Sequence, residues 1–328
     1  MQKLFFPLFI LLFLNSCKGT QPASEKKIDD YVFKNQKERS AYLQSYDAAL
    51  QLWQVPFQED DIITSYGTAH VIIAGPENGQ PLVLLHGMDA SSTMWFPNIR
   101  AFASKYRVYA IDFLMEPGKS ISCGESLNKE EIASWYREIF RHYHLEHIDI
   151  VAASRGGYYA SYLAMQPDSP IQKLVLLSPA QTFEMIDQKN KAIPALLLKF
   201  FPNRNKLEKT LHAFSLYPDR INPIYKEQFY LANKYSKSNT SFIQMTPFSD
   251  AELGQITCPT LVLIGDHDIV NSATGIARAQ RLIPTVETNT ITDAGHFLTI
   301  DQAEIINTRV LEFLNRKNTA APKKQLKI

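Results

Sequence analysis

Ser154 follows the apolar run Ile148-Asp149-Ile150-Val151 and precedes an amphipathic stretch opened by Gly156-Gly157 and continued by Tyr158, Tyr159, Tyr162 and Leu163. That order predicts a strand, a tight turn and a helix, with the serine hydroxyl on the turn. A serine so placed takes a strained backbone conformation. The residues two before and two after it have to be small so that strand and helix can approach. Ala152 and Gly156 meet that need. The free N–H groups at the helix start then face whatever the hydroxyl attacks and favour a developing oxyanion. The implied chemistry is nucleophilic catalysis. It requires a base to take the hydroxyl proton and a carboxylate to fix the tautomer of that base. Candidates stand after other apolar runs. His86 follows Leu82 to Leu85, Asp266 and Asp268 lie in Gly265-Asp266-His267-Asp268 after Leu261 to Ile264, and His296 lies in Asp293-Ala294-Gly295-His296-Phe297 after Val286 to Ile291.

The elements that must position these residues follow from periodicity. Short apolar runs at Leu82 to Leu85, Val108 to Ile111, Ile148 to Val151, Leu174 to Leu177 and Leu261 to Ile264 alternate with longer amphipathic stretches. Continuous apolar runs suit strands whose two faces are both covered by helices. The expected fold is therefore α/β, a mostly parallel twisted sheet flanked by helices. Asn128 with Glu131, and Asp301 with Glu304, have capping-box spacing at helix starts. Upstream, Tyr31, Val32, Tyr42, Leu43, Tyr46, Ala49, Leu50 and Trp53 recur every three to four residues and predict a helix between about Asp29 and Trp53. Ile62 to Tyr66 and Ala69 to Ala74, separated by Gly67, predict a β-hairpin. Residues 179–255 break the rhythm and read as several aromatic-rich helices, a helical lid inserted over the C-terminal edge of the sheet. The core is thus expected in two parts, 29–178 and 256–316, followed by a basic disordered tail over 317–328.

On these residues the chain resembles the α/β-hydrolase superfamily, whose nucleophile elbow reads G-x-S-x-G. Ala152 departs from that pattern at the first position. The resemblance covers roughly Pro56 to Phe313. It implies an oxyanion loop in His86-Gly87-Met88-Asp89-Ala90-Ser91-Ser92, with the backbone N–H of Met88 as one donor and that of Arg155 as the other. It makes His86 a structural residue of that loop. The family order is serine, acid, histidine, with the acid three residues beyond the strand-end glycine. This selects Asp268 and His296, with Asp266 as the alternative acid. The segments Ser92-Thr93-Met94-Trp95-Phe96-Pro97-Asn98-Ile99, Pro117-Gly118-Lys119-Ser120 and Leu177-Ser178-Pro179-Ala180-Gln181-Thr182-Phe183 are similar to a group of bacterial carboxylesterase-like hydrolases. The expected reaction is cleavage of a carboxylic ester through an acyl-enzyme on Ser154, without a cofactor. The expected substrate is a small molecule with a largely apolar group. Thioesterase, lactonase, C–C hydrolase and perhydrolase activities use the same parts, and a non-catalytic binding protein of the same fold is the reading from another class.

Composition bounds the partners. With 34 Lys+Arg against 33 Asp+Glu the formal net charge is +1, which gives no field for holding nucleic acid. A chain of 328 residues, 45% hydrophobic, buries enough surface to fold without disulfide or metal staples. His142, His144 and His147 are spaced by two and three residues across a helix-to-strand passage, so no metal site is expected there. Cys123 and Cys258 are expected to be free thiols. Pro117-Gly118-Lys119-Ser120 lacks the earlier glycine of a phosphate loop. Residues 1–16 read as an export signal, because Lys3 precedes the apolar run Leu4 to Leu14, which is too short to span a bilayer of about 30 Å. Its ending, Leu14-Asn15-Ser16-Cys17, resembles a bacterial lipobox. That resemblance implies acylation of Cys17, a polar tether over 17–28, and residence as an exported lipoprotein in the cell envelope. Lys18, where an inner-membrane retention signal carries Asp, points to the outer membrane, on its periplasmic or surface side.

Overall fold

A strand that is apolar on both faces is stable only when helices cover both, and the apolar runs of this chain are used in that way. A computed structural model of the protein describes residues 31–124, 126–186, 193–237 and 245–317. The predicted signal segment, Cys17, the tether and the tail beyond Lys317 lie outside the described residues. The strands are β1 (Phe57–Thr64), β2 (Gly67–Ala74), β3 (Gln80–Leu85), β4 (Tyr106–Ile111), β5 (Ile121–Ser122), β6 (Ile148–Ala153), β7 (Ile171–Leu177), β8 (Thr260–Gly265) and β9 (Val286–Ile291). They form one sheet in the order β1-β2-β4-β3-β6-β7-β8-β9, with β5 beside β2. From β4 to β9 every pairing is parallel, whereas β2 runs antiparallel to β1, β4 and β5.

Helices α1 (Gln36–Leu50), α2 (Ile99–Ala103) and α11 (Ala303–Asn315) cover one face; α3 (Lys129–His142), α4 (Arg155–Ala164) and α9 (Ala273–Leu282) cover the other. Alternate residues of each strand feed the two cores, as the period of two requires. Leu82 and Leu84 belong to the core with Tyr46, Phe102 and Val310, while Val83 and Leu85 belong to the one with Trp135, Tyr159 and Ala279. Between β7 and β8 the described residues form α5 (Ile193–Phe200), α6 (Arg204–Phe214), α7 (Pro223–Tyr235) and α8 (Asp250–Leu253), with no strand beyond an isolated bridge from Ser236 to Phe33. That bridge explains why the first helix is shorter than its periodicity suggests. Phe33 pairs with Ser236, and α1 begins only where the Asn35 side chain accepts the Glu38 N–H at 3.0 Å.

The capping box at Asn128 and Glu131 is present at the start of α3. The one expected at Asp301 and Glu304 is not. Asp301 ends the short helix α10 (Leu298–Asp301), and Gln302 precedes α11 without a side-chain cap. The Asp301 carboxylate turns inward instead, to partners described below. Cys123 and Cys258 are free thiols.

The antiparallel end of the sheet carries a charge cluster built on one buried histidine. His70 on β2 is 3% exposed, with Nδ1 2.7 Å from Asp61 and Nε2 3.1 Å from Glu59, both on β1. Burial alone would lower the His70 pKa, but the hydrogen bond to Glu59, the charge of Asp112 and the bond to Asp61 outweigh it and raise it. The Glu59 carboxyl is lowered to about 2, chiefly by its bond to His70. A raised folded pKa means that protonated His70 favours the native state. This contribution is complete below about pH 6.5 and disappears as the pH rises through the folded value. The Glu59 contribution is complete above its ordinary value of 4.5 and fades as the pH falls toward 2. His70→Gln is therefore expected to cost most stability, roughly 1–2 kcal/mol, between those limits and much less near pH 9. Urea unfolding of both proteins across this range checks it, and a loss independent of pH would remove the ionic explanation.

Candidate active site

The sheet aligns the ends of four strands. Leu85 of β3 pairs with Ala152 of β6, and Gly265 of β8 with Ile291 of β9, so the loops that follow open along the same carboxyl edge. In open α/β sheets this edge is where ligands bind. It carries Ser154, Met88, Asp268 and His296.

Ser154 joins β6 to α4 with φ 51° and ψ −118°, a left-handed conformation that costs a non-glycine residue of order 1–3 kcal/mol. Its surroundings hold it there. Its N–H donates to Leu177 at 2.9 Å, and its carbonyl accepts from Gly157 at 3.0 Å and Ala180 at 3.1 Å. Gly156 has no substitute, since a Cβ there would lie 2.4 Å from the Leu85 carbonyl oxygen and 2.7 Å from that of His86. Ala152 is wholly buried in the core between β6 and α4, so its methyl group is accommodated where the family pattern has glycine. Gly157, which sequence reasoning gave no role, is also constrained, because a Cβ would meet that of Pro179 at 2.8 Å.

His296 links Ser154 to Asp268. Its Nε2 lies 2.9 Å from Ser154 Oγ and its Nδ1 3.0 Å from Asp268 Oδ1. A carboxylate at Nδ1 keeps the proton on that nitrogen and leaves Nε2 free to accept the hydroxyl proton. Asp268 is 9% exposed, and Val270 N–H at 2.8 Å and Asn271 Nδ2 at 2.9 Å occupy its remaining acceptor positions. Burial would raise its pKa, yet the charge and hydrogen bond of His296, with the Asn271 and Val270 donors, hold it below the ordinary carboxylate value. Asp266 sits elsewhere. Its two oxygens accept the N–H groups of Asp293 and Ala294, both at 3.1 Å, so it ties the acid loop to the histidine loop and does not meet His296.

The loop after β3 passes beside the serine. A Cβ on Gly87, the residue before Met88, would lie 3.2 Å from that of Ser154 and 3.8 Å from its hydroxyl oxygen. Arg155 opens α4, and the first N–H groups of a helix have no intrahelical acceptor. His86 is committed to the loop. Its Nε2 accepts the Phe113 N–H at 2.8 Å and its Nδ1 contacts the Gly87 carbonyl at 2.8 Å. Burial pushes its pKa down to about 4, so it is neutral at pH 7.

Sequence reasoning missed the residues that hold these loops. Asp301 accepts the N–H of Gly295 at 2.8 Å, that of Leu216 at 3.0 Å, and the Ser215 hydroxyl, joining the histidine loop to the end of α6. Phe214, one residue before, meets the His296 ring edge-on at 5.5 Å. Gln228 of α7 is 2% exposed and bonds Thr93 at 2.7 Å, Ser91 at 3.0 Å and Tyr42 at 3.2 Å, tying the insertion to the β3 loop and to α1. Local sequence carries little signal for them: Gln228 and Asp301 are single polar residues beside apolar neighbours, and Phe214 is one aromatic among many in the insertion.

Comparison with known proteins agrees with this architecture. Residues 80–303 match the family described as alpha/beta hydrolase fold. The "uncharacterized carboxylesterase nap" of Bacillus subtilis (strain 168) is 32% identical over 280 residues, 84% of this chain and 92% of that protein. Among solved structures, naproxen esterase (carboxylesterase NP) from Bacillus subtilis superposes with a TM-score of 0.81 at 32% identity, covering 86% of this chain and all of that one. Carboxylesterase CesB (YbfK) from the same organism superposes with a TM-score of 0.77 at 27% identity, covering 85% and 99%. A profile matched over most of the chain, and a relative above 30% identity aligned over nearly its whole length, establish that the chain belongs to the α/β-hydrolase fold family.

Proposed function

We propose that the protein is a serine hydrolase that cleaves a carboxylic ester through an acyl-enzyme. The observation that carries this reading is the hydrogen-bonded chain from Ser154 Oγ through His296 to Asp268, and the similarity to proteins named carboxylesterases supports the bond type. Ser154 Oγ attacks the carbonyl carbon while His296 Nε2 takes its proton. The negative oxygen of the tetrahedral intermediate rests on the N–H groups of Met88 and Arg155. Collapse breaks the bond to the leaving oxygen, which His296 protonates. Water then attacks the acyl carbon with His296 as base, releasing the acid and restoring Ser154. Phe214 beside His296 favours an apolar substituent at that end of the site.

A panel of p-nitrophenyl esters of graded acyl length, run beside thioesters and lactones, tests this reading. Turnover is expected to be highest on the esters, and a fluorophosphonate probe is expected to add to Ser154 alone. An adduct on another serine, or none on the native protein, would overturn it; faster thioester or lactone turnover would reassign the bond.

The same reading includes an anchor. The apolar run ending in Leu14-Asn15-Ser16-Cys17 supports acylation of Cys17, which would hold the enzyme on the outer membrane, on its periplasmic or surface side. No helix among the described residues is long and apolar enough to cross a membrane. Cys17→Ser is expected to leave the protein unprocessed or release it from the membrane fraction. A variant that is still processed and membrane-bound would show that another feature anchors it.

A further inference from the structure

An oxyanion hole works only if its donors stand 2.7–3.1 Å from where the negative oxygen will be, and here the donors come from two separate loops. Met88 belongs to the loop after β3 and Arg155 to the start of α4. A third loop, the one after β4, reaches both. Glu116 on that loop is 1% exposed, and each of its two oxygens serves one side. Oε1 pairs with the guanidinium of Arg155, also 1% exposed, whose other face lies 4.1 Å from the Phe113 ring centre. Oε2 accepts the N–H of Asp89, the residue after Met88, at 2.9 Å. Asp89 is held in a left-handed conformation at φ 56°, and its own carboxylate pairs with Lys199 of α5, both side chains being largely buried. The result is a line of two ion pairs, Lys199 with Asp89 and Glu116 with Arg155, joined by the Asp89 N–H, that runs from the insertion to the first turn of α4.

A buried ion pair contributes little net stability, because the desolvation of two charges offsets their attraction. What such a pair does supply is geometry, since neither partner can leave the other without stranding a charge. We infer that Glu116 is a positioning residue that fixes the spacing between the Met88 and Arg155 amides, and that the Lys199–Asp89 pair makes this spacing depend on the seating of helix α5. The inference rests on the serine-hydrolase reading above. It gives the insertion a part in transition-state stabilisation, in addition to any shape it lends the substrate pocket.

Glu116→Gln keeps the size of the side chain and an acceptor for Asp89 but removes the charge opposite Arg155. Its kinetics are to be expressed per site titrated with a fluorophosphonate, so that misfolded protein does not count. We expect kcat per titrated site to fall by about ten- to thirtyfold, below the 10²–10³ typical of losing a whole donor, with KM within about threefold of the parent. Affinity for an aryl trifluoromethyl ketone, which forms the tetrahedral adduct, is expected to fall in step with kcat/KM. Affinity for the same ketone without fluorine should not change. A purely structural role would lower the titrated fraction and leave kcat per titrated site and fluoroketone affinity at parental values, and that result overturns the inference. If Glu116→Gln does not fold, Lys199→Met decides. A drop of about threefold to fivefold in kcat per site, with matching loss of fluoroketone affinity, supports the coupling, and parental values overturn it. A parent that neither labels at Ser154 nor turns over any ester sinks the hydrolase reading itself. An active, labelled parent beside an unaffected Glu116→Gln sinks only the inference drawn here.

Discussion

His296→Ala is expected to lower kcat by at least about four orders of magnitude while the protein stays folded. Without the imidazole 2.9 Å from Ser154 Oγ, nothing takes the hydroxyl proton, and the leaving alkoxide departs unprotonated. On the proposed mechanism the residual rate would come from substrate binding and from the amides of Met88 and Arg155, which the substitution does not touch. Stability is expected to change much less than the rate. The Asp268 carboxylate, which loses its histidine, keeps the Val270 and Asn271 donors and is therefore not stranded in the interior. Also lost are the bond to Ser154 and the ring contacts with Phe214 and Phe297. Steady-state kinetics beside a thermal unfolding curve separate the two effects. Activity within tenfold of the parent, on folded protein, would remove His296 from the mechanism.

The convergence on Ser154 was legible because its determinants are local. Strand, small residue, serine and glycine follow one another within nine positions, and each must be of a given size for steric reasons. The strands were legible for a related reason: a run such as Leu82 to Leu85 is apolar at every position only if both faces are covered, so the pattern alone carries the layer structure. What local pattern did not carry is the set of buried charges around the site. Glu116, Arg155, Asp89 and Lys199 belong to residue types that are rarely buried unless paired, so a sequence assigns them to the surface until their partners are known. Those partners are distant in the chain, 39 positions apart for Glu116 and Arg155 and 110 for Asp89 and Lys199.

Asp301 shows the opposite error, a local pattern overruled by tertiary structure. Its spacing from Glu304 fits a capping box, yet three donors from the α6 end and the histidine loop converge on it. Satisfying three partly buried donors outweighs a cap worth about 1 kcal/mol. The same competition shortens α1, where Phe33 leaves the predicted helix to pair with Ser236.

The choice between the two acids of Gly265-Asp266-His267-Asp268 separates catalytic geometry from loop construction, and matched Asn variants are expected to show it. Asp268→Asn should lower kcat at least about a hundredfold near pH 7. An amide can offer its NH₂ to His296 Nδ1 where the carboxylate accepted. The histidine proton then moves to Nε2, where it faces Ser154 Oγ and blocks proton abstraction, and the imidazolium formed in the reaction loses its counter-charge. The structure gives Asp266 a different burden. Its oxygens hold the N–H groups of Asp293 and Ala294, three and two residues before His296. Asp266→Asn keeps one acceptor and loses the other, which loosens the histidine loop without changing the tautomer. Its rate loss is expected to be several times smaller than that of Asp268→Asn, about tenfold or less, accompanied by a lower unfolding midpoint. The two variants thus differ in kind: one loses rate at nearly constant stability, the other loses stability with a modest loss of rate. A larger fall in kcat at Asp266 than at Asp268 would mean that the histidine takes its carboxylate from the other acid during turnover.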